Sequence, residues 1–155
     1  MARKLLQHAG LAGISLVAMV AAIVVLPACT SSSTLTGTLR NGQDLFLTGR
    51  DASGVTLTNN SYEMMGHQVA CADCHGSQGH GGTVTIMMTR YDVPNITWPE
   101  LTGATYIPPY TAETVKQAIT KGLDQAGEKL KAPMPQWSMS TQDLDDLVGY
   151  IQTLK

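Results

Sequence analysis

Phenylalanine occurs once and tryptophan twice in 155 residues, and aromatic residues make up 5% of the chain. A core built on the chain's own aromatics is therefore not expected. Cysteine occurs three times. That is too few for a four-thiolate zinc site or a disulfide framework. Basic residues number 10 against 12 acidic ones. With no basic surplus, nucleic acid is not an expected partner, and neither is an anionic lipid surface held by charge. The length allows one domain.

Two of the three cysteines stand close together, in Cys71-Ala72-Asp73-Cys74-His75. This C-x-x-C-H spacing is the attachment signal of c-type haem. Two thiols three positions apart on one helical turn can each form a thioether to a porphyrin vinyl group. The adjoining histidine then lies under the iron as an axial ligand. A zinc site would need two more ligands; His67 and His80 are near, but no second cysteine pair exists. A thioredoxin-like C-x-x-C would need a βαβ setting, which the sequence does not offer. The haem would also supply the flat apolar centre that the aromatics do not.

The third cysteine belongs to a different signal. Arg3 and Lys4 precede an uncharged apolar run from Ala9 to Leu26, followed by Leu26-Pro27-Ala28-Cys29. This is the layout of a secretory signal peptide over residues 1–28. Its last four residues resemble a bacterial lipobox, in which the cysteine is acylated; Pro27 departs from the usual residue there. An uncleaved anchor is the alternative, because Ala9 to Ala28 is 20 residues, about the length that spans a bilayer. A free secreted protein is the third possibility. With Cys29 for lipid and Cys71 and Cys74 for haem, no cysteine is left over for a disulfide. Cleavage would remove Arg3 and Lys4 and leave 8 basic residues against 12 acidic ones.

Residues 29–40 are rich in Ser and Thr without periodicity and read as a flexible tether. The domain is expected over residues 41–155. Asn41 caps a short first helix through Leu47 in this reading. Asp51 to Asn60 is turn-rich with a short alternating piece, which suggests a small hairpin. Ser61 begins a helical pattern with Tyr62, Met65 and Val69; Met64 and Met65 read as packing. Four glycines between Gly76 and Gly82 stop the haem helix, and His80 in that loop reads as exposed. Thr83 to Thr89, with Met87 and Met88, reads as a short strand or a wall of the haem pocket, and a polar loop follows from Pro94. Thr111 caps a helix to Lys121 with Val115, Ala118 and Ile119 buried, and Gly122 is its stop. Leu123 to Ala132 is a polar loop. Met134 is held between Pro133 and Pro135, whose fixed φ suits it to present a thioether at a set position. Ser140 and Asp143 form a capping box before a last helix with Leu144, Leu147, Val148, Ile151 and Leu154 on one face.

From Asn41 to Lys155 this order of features resembles the class I bacterial cytochromes c. The resemblance implies an all-α fold of about three to five short helices around one covalent haem c. It implies that the first and last helices cross through Gly42, Phe46 and Tyr150. It implies a hydrogen bond from His75 to the Pro94 carbonyl, haem packing by Pro94, Ile96 and Trp137, and His75 and Met134 as axial ligands. Met139 is the rival distal ligand but lacks the proline frame. The 25-residue step from Phe46 to Cys71 departs from the family, whose first helix runs almost directly into the haem motif.

The expected function is electron transfer between redox donor and acceptor proteins of a respiratory chain, outside the cytoplasm and tied to a membrane. The expected role is that of a carrier rather than an enzyme. A haem enzyme or gas sensor with an open distal position is one alternative, although no distal His–Arg pair is evident. A tethered cytochrome subunit of an oxidase or dehydrogenase is another.

Overall fold

The structure, a computed structural model, describes residues 30–61 and 68–155. The apolar N-terminal run, Cys29, Tyr62, Met64, Met65 and His67 lie outside the described residues, so the expected signal peptide, lipid site and pre-motif helix are not placed. Among the described residues five helices stand in the order α1 (Thr30–Thr48), α2 (Cys71–His75), α3 (Trp98–Leu101), α4 (Ala112–Lys121) and α5 (Thr141–Ile151). Two small antiparallel sheets join them. One pairs β1 (Thr58–Asn59) with β4 (Trp137–Ser138), and the other pairs β2 (Gly82–Ile86) with β3 (Thr89–Val93). The expected helical fold holds, with short strands added.

The chain's two long-range helices cross at a glycine. A Cβ on Gly42 would collide with the backbone carbonyl of Asp146 on α5 and come within 2.9 Å of Tyr150 Cβ. One turn further along α1, Phe46 is fully buried and its ring lies 5.5 Å from that of Tyr150, tilted by 55°. Leu45, Phe46, Leu147, Val148 and Ile151 make this crossing the centre of the core, and Leu101, Val115, Ile119, Trp137 and Leu154 extend it. The crossing expected from Gly42, Phe46 and Tyr150 is present.

Helix α1 corrects two expectations. It is helical from the first described residue, Thr30, so residues 30–40 are helical where a flexible tether was expected. Adding turns to a helix already fixed by packing costs little compared with nucleating one. Asn41 therefore lies inside the helix and caps nothing. It is buried, and its side-chain amide donates to Asp146 at 2.8 Å and to Asp143 at 3.0 Å, while its oxygen accepts from Ala52 N–H at 2.7 Å. Gly49 ends the helix with φ +67 and bonds back to the Leu45 carbonyl at 3.0 Å.

The later helices follow their caps. Thr111 Oγ1 accepts from Thr114 N–H at 3.2 Å, and Gly122 at φ +64 terminates α4 in the left-handed conformation. Ser140 Oγ accepts from Asp143 N–H at 3.1 Å to start α5. Lys116 and Asp145, 2.6 Å apart, link the two helices at the surface.

The strand expected at Thr83 to Thr89 is present as β2, Gly82–Ile86, and it is paired with β3. In the segment after α1, Asp51 Oδ1 accepts from Ser53 and Val55 N–H groups and a bridge joins Arg50 to Thr56. With Asp51 N–H donating to the Val55 carbonyl at 3.0 Å and Leu57 N–H to the Gly49 carbonyl at 2.9 Å, this is a minimal hairpin, and β1 beyond it pairs across to β4. The longer hairpin is β2–β3, which follows the C-x-x-C-H stretch. Met87 and Met88 form its tip with φ +47 and +67, and Met88 is 97% exposed. Met87 is exposed as well. Asn-Gly would be the usual choice at such a turn, which is why the sequence did not announce it. The polar loop from Pro94 also contains a helical turn, α3, begun at Trp98 with Pro99 in its first turn.

Candidate functional site

Helix α2 is one turn long and carries the whole C-x-x-C-H stretch. Asp73 closes its entry by accepting from Ala70 N–H at 2.7 Å. Gly76 closes its exit with φ +75, bonded to the Ala72 carbonyl at 2.9 Å. Cys71 and Cys74 sit at i and i+3 and therefore share a face. Both are free thiols and half-buried. Cys71 is half-buried by its surface, yet its thiol is packed tightly enough that burial pushes it up to about 12. Burial raises Cys74 too, with Asp73 adding to the shift. Both sulfurs are thus held protonated, as S–H groups able to add across a double bond.

His75 is buried, and its Nδ1 lies 3.1 Å from the Pro94 carbonyl oxygen. A carbonyl only accepts, so Nδ1 carries the proton and Nε2 keeps its lone pair for a metal. Burial lowers the pKa of His75, opposed by the bond to Pro94. The ring is therefore held neutral, the form that ligates.

The glycine loop between α2 and β2 makes this geometry possible. Gly81 N–H donates to the His75 carbonyl at 2.9 Å. A Cβ on Gly81 would collide with the carbonyls of Val93 and Pro94. Gly79 accepts from Ile96 N–H at 2.7 Å and leaves no room for a Cβ beside Leu154. The two ends of the β2–β3 hairpin thus meet at His75, one on its backbone and one on its ring. His80 is exposed, as expected.

Of the expected packing residues, Ile96 is half-buried against the core and Trp137 is buried within it. The Trp137 ring lies 3.6 Å from where a Gly49 Cβ would stand. Met139 packs against the core, whereas Met134 is half-buried and stands apart from it. Sequence reasoning missed Asn59, Asn60 and Gln136. Asn60 and Gln136 exchange two hydrogen bonds, Gln136 N–H to Asn60 Oδ1 at 2.8 Å and Asn60 N–H to the Gln136 carbonyl at 3.2 Å. Only the Asn-Asn dipeptide, a turn signal, marked the place, and nothing local could show its partner 76 residues away.

The donor set suits one metal in a flat apolar group better than a bare ion. Two protonated thiols share a face beside one neutral imidazole. No cluster of three or more His, Cys, Asp or Glu suited to a metal ion occurs among the described residues. A family model described as Cytochrome c matches residues 41–155. No curated protein and no solved structure matches the chain.

Proposed function

The chain belongs to the cytochrome c family, which binds haem c covalently, and from that membership we propose that it carries single electrons between respiratory partners at the outer face of a membrane. Bound haem supplies the one-electron chemistry of Fe(III) and Fe(II). Cys71 and Cys74 would hold it through thioethers, and His75 would offer Nε2 to its iron while Nδ1–H donates to Pro94. That hydrogen bond fixes the tautomer and ring plane and enriches the imidazole in electron density. Met134 is the distal ligand in this reading. A thioether favours Fe(II), which raises the potential relative to two nitrogen ligands. With His75 and Met134 both committed to the iron, the chain would transfer electrons and leave no place for a substrate at the metal.

The observation that carries this reading is the buried His75 ring with its Nδ1 committed to Pro94. The placement of Met134 outside the core, and of Met139 against it, supports the choice of distal ligand. The apolar run from Ala9 to Leu26 and Cys29 support export and attachment to a membrane through lipid. The donor and acceptor are redox proteins.

The test is an absorption spectrum of oxidised and reduced protein matured with haem. Colour that survives acid–acetone extraction, with the weak near-infrared band of a methionine–ferric bond, is the expected result. Covalent haem without that band, and carbon monoxide binding to the reduced native protein, would move the function to ligand binding or catalysis.

A further inference from the structure

We propose that residues 58–60, between α1 and the haem helix, are a strap that sets the position of Met134, with Asn60 as its positioning residue. The proposal rests on the reading of Met134 as distal ligand.

Met134 has little backbone support of its own. Its N–H reaches the Lys131 carbonyl at a long 3.4 Å. Pro133 and Pro135 on either side have no N–H to give. The first backbone donor after Met134 is therefore Gln136, and the strap receives it. Asn60 Oδ1 accepts Gln136 N–H at 2.8 Å, and Asn60 N–H returns a bond to the Gln136 carbonyl at 3.2 Å. The pairing continues through Asn59 with Trp137 and Thr58 with Ser138. The Gln136 side chain is held from the other side. Its Nε2 donates to the Lys121 carbonyl at 3.1 Å, and it lies against Gly122, where a Cβ would come within 2.8 Å of that nitrogen.

The same dipeptide also grips the entry to the haem helix. Asn59 Nδ2 donates to the Val69 carbonyl at 3.1 Å, two residues before Cys71. Asn59 and Gln68 exchange a further pair, Asn59 N–H to Gln68 Oε1 at 3.0 Å and Gln68 Nε2 to the Asn59 carbonyl at 3.2 Å. Asn59 and Asn60 thus connect the segment that carries the proximal attachment to the segment that carries the distal thioether. Hydrogen bonds of this kind hold separations to a few tenths of an ångström. A dative bond to a thioether is sensitive on that scale, so loosening the strap weakens it.

The test compares holoprotein variants through the near-infrared band and the alkaline pH midpoint at which that band is lost in the ferric state. Asn60→Ala removes the acceptor for Gln136 and should raise the equilibrium constant for methionine loss about tenfold, lowering the midpoint. Asn60→Asp keeps an acceptor oxygen and should restore most of the wild-type value. Gln136→Ala, which keeps the backbone bond, should shift the midpoint the same way by less, and it serves if Asn60→Ala yields no holoprotein. Val148→Ala, a core change away from the strap, should lower the unfolding temperature without moving the midpoint. Met134→Ala separates the two ideas. If it abolishes the band while Asn60→Ala and Gln136→Ala behave as wild type, the strap proposal is overturned and the ligand reading stands. If the band survives in Met134→Ala, both fall.

Discussion

At the crossing of α1 and α5, Gly42 faces the main-chain carbonyl of Asp146 with no space for a methyl group between them. The contact brings Phe46 against Tyr150 and closes the core on which the haem helix rests. Gly42→Ala forces the helices apart or bends one of them. We expect a loss of about 1–3 kcal/mol of stability, read as a drop in unfolding temperature of roughly 5–15 °C. An unchanged unfolding temperature would mean that the crossing is looser than the geometry indicates.

Asn41 offers a second test beside the same crossing. Its amide serves two carboxylates, and its oxygen serves Ala52 N–H. Asn41→Ala leaves part of the buried Asp146 unserved and should cost about 1–3 kcal/mol. Asn41→Asp should be worse at neutral pH, because it sets a third carboxylate beside Asp143 and Asp146. That extra penalty should shrink as the pH falls toward about 4, where carboxylates begin to protonate. Denaturant titrations at several pH values check the sign.

Acid should act on the site through His75. Its pKa in the fold lies below the ordinary 6.5, chiefly because the ring is buried. As the pH falls below 6.5 the unfolded chain takes up the proton first, so stability is full above that value and declines below it. Iron at Nε2 would push the loss further into acid. Circular dichroism and the haem absorption should therefore change together in an acid titration. Loss of His75 ligation well before unfolding would contradict a ring shielded by Pro94 and the glycine loop.

Met139 provides the control for the distal ligand. It packs against the core, so Met139→Leu replaces one apolar filler with another. A cost below about 1.5 kcal/mol is expected, with the near-infrared band intact. Disappearance of the band would transfer the ligand role from Met134 to Met139.

Much of this was legible because the signals are local. The C-x-x-C-H stretch, the capping residues Thr111 and Ser140 and the stop at Gly122 each act within one or two turns of chain. Gly42, Phe46 and Tyr150 were found through resemblance, since nothing in their spacing says which helices meet. The helicity of residues 30–40 was not legible, because Ser and Thr have weak helix preference and packing further along the helix decides the matter. The partner of β1 lies across the molecule in β4, and short strands with distant partners leave little local trace. The β2–β3 tip was hidden by Met87 and Met88 standing where glycine and asparagine usually do.

That hairpin leaves the molecule and returns to nearly the same point. Gly82 pairs with Val93, and the residues beyond each end, Gly81 and Pro94, both rest on His75. The ten residues between could be lengthened or shortened in matched pairs without altering the spacing that the imidazole feels. Its exposed tip is therefore a natural graft site, where a peptide epitope, a dye-reactive cysteine or a small binding module could be displayed beside the redox centre while its ligation is left as it was.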